Sequence, residues 1–157
     1  MKQVTKVVFL LNVTKVGDHA CYKASNLVVV DIPEGITIIG DYSFLSFSSL
    51  KHIKFPKSLT SIGMNCFGYC SSLEQVDLLH TKVQQLGDYA FFDCRNLRDM
   101  TVPDSLQTFG NHVFHECYEL IPLHIDVSEE YVSDEESDEE RVNVTSQVIA
   151  HLRSLQS

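Results

Sequence analysis

LKHIKFPKSLTSIGMNCFGYCSS, residues 50–72, is one turn of a pattern that recurs along most of the chain. Its opening, Leu50-x-x-Ile53-x-Phe55-Pro56, ends in the alternation of a half-buried strand. Pro56 closes that strand, because proline has no N–H to offer a ladder, and Pro33 and Pro103 stand at the same point of two other units. A second apolar piece, Leu59-x-x-Ile62, stops at Gly63, where the sequence predicts a backbone conformation reserved for glycine. Asn65-Cys66-Phe67-x-x-Cys70 follows with the apolar spacing of one helical turn.

Two markers fix the period. The apolar-Gly pair recurs as Val16-Gly17, Ile39-Gly40, Ile62-Gly63, Leu86-Gly87 and Phe109-Gly110, in steps of 23 or 24 residues. The unit starts, Val4, Leu27, Leu50, Leu73, Leu97 and Leu120, keep the same step, and both markers put the one extra residue in the unit that begins LEQVDLLHTKVQQLG. Stacked units bring equal positions into columns: Phe44, Phe67, Phe91 and Phe114 (Cys21 in the first unit), and beside them Ala24, Phe47, Cys70, Cys94 and Cys117. No unit can bury its own apolar face, so the stack is what folds.

The consensus LxxVxLPxxLxxIGxxAFxxC resembles the BspA-type leucine-rich repeats, found on bacterial surfaces and in some protists, over residues 4–125. Cys21 departs from it where an aromatic belongs, and the pattern ends after Leu123. The resemblance implies an α/β leucine-rich repeat solenoid of five to six units. Parallel strands would line one face, with short helical turns opposite and a right-handed course, and the role would be binding other proteins. Residues 1–125 then form the solenoid, 126–143 an acidic flexible linker, and 144–157 an amphipathic helix or cap.

Charge divides the chain in the same way. The net charge is −9, yet residues 1–125 hold 10 Lys and Arg against 12 Asp and Glu, while 126–157 hold two Arg against nine acids. Such an acidic balance argues against nucleic acid as partner, since phosphate binding needs a basic face. No apolar run is long enough to span a membrane. The start, MKQVTKVVFLLNVTKVG, has too short an apolar run and no small-residue cleavage site for a signal peptide, and it fits the repeat. Five cysteines at repeat positions do not read as a secreted disulfide framework. Together these features predict an intracellular protein, cytoplasmic or nuclear, in which the sequons at Asn12 and Asn143 stay unused.

Candidate binding residues follow from strand alternation. Residues three and five after each unit start point inward: Val7, Val30, Ile53, Val76, Met100 and Leu123, then Phe9, Ile32, Phe55, Leu78, Val102 and Ile125. Those two and four after it point outward: Lys6, Val29, His52, Gln75, Asp99 and Pro122, then Val8, Asp31, Lys54, Asp77, Thr101 and His124. From these, Val29, Asp31, His52, Lys54, Asp77 and Asp99 are the expected partner contacts, on a face of six strands spanning roughly 25 Å. A merely solvated face would carry the same pattern.

Lys6-Val7-Val8-Phe9 resembles the short motif, basic–Val/Ile–any–Phe/Trp, by which regulators dock on the catalytic subunit of protein phosphatase 1. Val7 and Phe9 also occupy inward ladder positions, so a core role competes with docking. With only three residues before Val4, the first strand is expected to be an uncapped edge, open to a homodimer or a partner. In the tail, Glu129–Glu140 carries eight carboxylates and no base, and Ser133 and Ser137 each precede acids as casein kinase 2 sites do. Val144, Val148, Leu152 and Leu155 share one face of the last predicted helix.

No nucleophile elbow, phosphate loop or zinc motif is present, so no catalytic residue and no cofactor is expected. His112-x-x-His115-x-Cys117 is the best metal candidate, but it lacks a converging second ligand pair. The leading expectation is a non-enzymatic intracellular interaction module, a regulatory subunit or inhibitor of protein phosphatase 1. The alternative is an adhesion-type repeat protein, secreted or on the cell surface.

Overall fold

The computed structural model describes residues 7–22, 24–120 and 138–156, with side chains described for 7–22, 24–120 and 146–156. Each unit contributes two short strands. The pieces that end at the glycine form β1 (Lys15–Val16), β3 (Ile38–Ile39), β5 (Ser61–Ile62), β7 (Gln85–Leu86) and β9 (Thr108–Phe109). The pieces after the unit start form β2 (Val29–Asp31), β4 (His52–Lys54), β6 (Gln75–Asp77) and β8 (Asp99–Thr101). Equal positions pair in parallel, giving one sheet ordered β1-β3-β5-β7-β9 and a second ordered β2-β4-β6-β8. The register steps from Val29 to His52 and from His52 to Gln75, then from Gln75 to Asp99. The extra residue of the fourth unit lies between β6 and β7, where Thr81 turns its N–H and its hydroxyl onto the Leu78 carbonyl, at 3.0 and 2.7 Å.

The third side of the stack differs from the expected helical turns: residues 64–70 and their counterparts run as consecutive turns with no helix. Two residues per unit have left-handed backbone. His19, Tyr42, Asn65, Tyr89 and His112 have φ of 49–57°, and Ser46, Tyr69, Asp93 and Glu116 have φ of 55–63°. A helix would spend each N–H on its own preceding turn. Here Tyr42, Asn65 and Tyr89 donate instead to the carbonyls of Met64, Asp88 and Asn111 one unit on, each at 2.9 Å. The left-handed residues cost strain, and bonds between units offset it.

The glycine column also has another cause than the sequence implies. Among the glycines only Gly35 has positive φ, at 97°. A Cβ on Gly63 would lie 2.4 Å from Asp41 Oδ1 and 2.7 Å from Gly40 C, and one on Gly87 would lie 2.4 Å from Met64 N. The column is glycine because successive turns touch there. Asp18, Asp41 and Asp88 complete the contact, their carboxylates accepting the N–H of Asp41, Met64 and Asn111 at 3.0, 2.7 and 2.8 Å.

Inside, Phe44, Phe67, Phe91 and Phe114 stack with centroids 5.3, 5.4 and 6.1 Å apart and rings within 10° of parallel. Cys70, Cys94 and Cys117 form the adjoining buried column and donate to the carbonyls of Phe44, Phe67 and Phe91 at 3.4, 3.2 and 3.0 Å. Burial pushes the Cys70 thiol up to about 12 and Cys94 well up from its ordinary value, so both stay protonated donors.

The helix α1 spans Asp138–Leu155 and begins inside the segment expected to be linker. Val148, Ile149 and Leu152 are buried, while Leu155 is 69% exposed, so the packed face is turned from the one the sequence indicates. Arg153 donates to the Leu106 carbonyl at 2.9 Å. Just past the helix, the Gln156 side chain accepts the Val102 N–H at 2.8 Å and donates to the Val102 carbonyl at 3.0 Å. A side-chain amide thus holds the two backbone groups that a following strand would have paired.

Candidate binding face

The face of the β2-β4-β6-β8 sheet results from alternation on a fixed core. Val30, Ile53, Val76 and Met100 are buried, which forces their neighbours outward. Val29, His52, Gln75 and Asp99 then make one exposed row in register, and Asp31, Lys54 and Asp77 a second that half-buried Thr101 completes. Among the described residues, four strands at about 4.8 Å spacing make this face about 14 Å wide, and Pro122 and His124 of the expected sixth strand lie outside them.

The rows are cross-linked at one end. Gln75 Nε2 donates to Asp99 Oδ2 at 3.3 Å, and the Thr101 hydroxyl donates to Asp77 Oδ1. Asp77 Oδ1 also accepts the Leu79 N–H at 3.0 Å. The Thr101 hydrogen bond, helped by the Leu79 N–H and nearby His80, holds the Asp77 carboxyl below its usual range against the opposing effect of partial burial. Lys54, Asp77 and His80 also line a recess of about 280 Å³ with Glu34, Phe55 and Lys57.

A third row escaped sequence reasoning. Glu74 is half-buried and pairs with Arg98 at 2.9 Å and Lys51 at 3.9 Å. All three stand one residue after a unit start, so aligning that position by sign would have found the ladder. Gln156 and Arg153 were also missed; only their distance from the repeat in sequence separates them from the backbone they hold.

At the other end, residues 7–9 are the described part of the expected first strand. Val7 and Phe9 pack half-buried against the core, whereas Val8 is 69% and Val29 60% exposed. No strand forms over residues 7–10, and among the described residues no backbone hydrogen bond joins them to β2. Between the two runs a groove of about 480 Å³ is lined by Val7, Val8, Phe9, Val29, Val30, Asp31 and Pro33. Lys6, Ser133 and Ser137 lie outside the described residues. The five cysteines are free thiols, and among the described residues no group of three or more His, Cys, Asp or Glu is placed to hold a metal. No described helix is long and apolar enough to cross a membrane.

No curated protein matches the chain. Among solved structures, a leucine-rich repeat protein of T. pallidum is 30% identical with a TM-score of 0.65, over 68% of this chain and 50% of its own. One from Bacteroides ovatus is 24% identical with a TM-score of 0.61, over 74% of this chain and 36% of its own. The pneumococcal vaccine antigen PcpA is 22% identical with a TM-score of 0.53, over 62% of this chain and 25% of its own. The chain spans half or less of each, and the last two likenesses show the fold alone. These findings overturn the intracellular expectation. The repeats are of the BspA type, and the T. pallidum protein matched at 30% identity is a bacterial leucine-rich repeat protein, which points to the cell surface or outside. The argument from the opening residues and the cysteines fails because neither feature reports on export: buried columns take cysteine as a small apolar residue in any compartment. Six copies of the BspA-type leucine-rich repeat match residues 1–133, and the chain belongs to that family.

Proposed function

We propose that this chain is a non-enzymatic, adhesion-type protein-binding solenoid, displayed on a cell surface or secreted, with the β2-β4-β6-β8 face as its contact surface. The observation that carries this reading is the pair of in-register rows, Val29-His52-Gln75-Asp99 and Asp31-Lys54-Asp77-Thr101, fixed in place by buried neighbours. Leucine-rich repeats are interaction modules, and the pneumococcal relative is by name a vaccine antigen. A face about 14 Å wide falls well short of the roughly 800 Å² per partner of a standard interface. Its natural ligand is therefore a peptide-sized segment of another protein, or a protein that also engages the Glu74 ladder and the Lys54–His80 recess. Docking of protein phosphatase 1 through Lys6–Phe9 finds no support, because Val7 and Phe9 pack on the core and the relatives are bacterial leucine-rich repeat proteins.

The test is binding of the purified chain to an array of extracellular proteins, beside a variant carrying His52→Glu, Lys54→Glu and Asp99→Lys. These exposed changes leave the core intact, which circular dichroism verifies. Ligands kept by the parent chain and lost by the variant support the face. Equal binding by both, or no ligand for either, overturns it.

A further inference from the structure

The groove beside β2 deepens the protein-binding reading and rests on it. In β2, the Val28 carbonyl and the Ile32 N–H bond to Lys51 and Lys54 of the next unit. Residues 28, 30 and 32 therefore face β4, and the backbone groups of Val29 and Asp31 face the groove. That edge is occupied at the β2–β4 and β6–β8 steps, where Lys54 O accepts the Ile32 N–H at 3.0 Å and Thr101 O accepts the Leu78 N–H at 3.3 Å; at the β4–β6 step the Phe55 N–H does not reach Asp77 O, and Lys51 O accepts the Glu74 N–H at 3.2 Å instead. The equivalent bond, Phe9 N–H to Asp31 O, is not made. A strand edge with apolar walls and unpaired backbone groups is a template for an added strand.

The order of side chains accounts for residues 7–9 leaving this edge unpaired. By repeat register Val29 falls opposite Lys6 and Asp31 opposite Val8, so a valine meets a cation and a carboxylate meets a valine. On its other side Asp31 already has Lys54 in register. Among the described residues lining the groove, Asp31 is the charged one. We infer that the groove takes an extended peptide in parallel register, with an apolar residue beside Val29 and a basic residue two positions later beside Asp31. Its alternate residues are apolar and turn inward over Val30 and Phe9. At about 3.3 Å per residue the β2 edge reads three or four residues, so the recognised core is Val-Val-Lys-Val or an equivalent.

The experiment compares two hexapeptides of identical composition, capped Thr-Val-Val-Lys-Val-Thr and Thr-Lys-Val-Val-Val-Thr, titrated into the full chain with backbone amide shifts as readout. The first is expected to bind about two- to fivefold tighter, the range that opposite-charge cross-strand pairs deliver, and to move the Val29 and Asp31 amides. Asp31→Asn should erase the preference, while His52→Glu with Asp99→Lys leaves it in place. Loss of protein ligands in the face variant with no peptide binding would overturn this inference and spare the broader one. So would equal binding of the two peptides, a preference for the second, an Asp31 amide already protected from exchange in the free chain, or a dimer in sedimentation that Asp31→Asn dissolves.

Discussion

Substituting Gly87 tests the reason given for the glycine column. A Cβ at Gly87 would sit 2.4 Å from Met64 N, 2.6 Å from Gly63 C and 2.8 Å from Met64 Cα, where ordinary contact begins at 3.4 Å. All three neighbours are backbone, so no side chain can swing away. The clash must be relieved by moving whole turns apart by about 1 Å in a stack spaced at about 4.8 Å. Overpacking of this kind costs about 1–3 kcal/mol, and a backbone obstacle puts Gly87→Ala at the upper end. Reduced freedom of the unfolded chain returns about 0.4–1 kcal/mol, leaving a net loss of about 2 kcal/mol. With a urea slope near 2 kcal/mol/M the midpoint falls by about 1 M. Gly17 is the matched control. It holds the same repeat position without left-handed φ, but no described atom lies within 4 Å of its Cβ position. Gly17→Ala should raise the midpoint by about 0.2–0.5 M. A Gly87→Ala midpoint within about 0.2 M of the parent, or an equal fall in both variants, would refute the close-approach explanation and restore a conformational one.

Four further outcomes are expected. Gln156→Ala leaves the Val102 N–H and carbonyl without their partner and should cost about 1–3 kcal/mol in urea unfolding, with faster amide exchange at Val102. Leu152→Ala opens the helix packing and should cost about 2–5 kcal/mol. Because Asp77 titrates below its ordinary value of 3.8 when folded, its stabilisation is present above that pH and lost as pH falls through the folded value. Thr101→Val should therefore destabilise more at pH 7 than near pH 2, and an equal effect at both would show that the hydroxyl acts only as acceptor of the Leu78 and Leu79 N–H groups, at 3.1 and 3.2 Å. In native protein a thiol reagent should label half-buried Cys21 well ahead of Cys66, Cys70, Cys94 and Cys117, which are buried and react only on unfolding.

The repeat and its consequences were legible in the chain. A step of 23 residues, 24 across the fourth unit, sets the parallel registers, and alternation about Val30, Ile53 and Val76 decides which side chains reach the exposed face. The phenylalanine and cysteine columns follow from the same step. Period alone could not tell a helical turn from consecutive turns, since both place Cys66, Phe67 and Cys70 inward. What separates them is where the N–H groups go, and their acceptors lie one unit away. The glycines deceived for a related reason: close approach between turns is invisible in a single unit.

The ends of the stack belong to tertiary structure altogether. Repetition says what a unit looks like with a neighbour on each side, and nothing about a unit with one neighbour. Residues 7–9 keep the inward alternation of a strand, yet no backbone hydrogen bond joins them to β2, because repeat register would set Val8 against the Asp31 carboxylate. At the other end the Gln156 side chain holds the Val102 backbone from 54 residues away. Sequence determined the columns because each depends on a local pattern repeated in step. Tertiary structure decided the edges, the groove and the closure because they depend on which backbone groups the stack leaves unpaired.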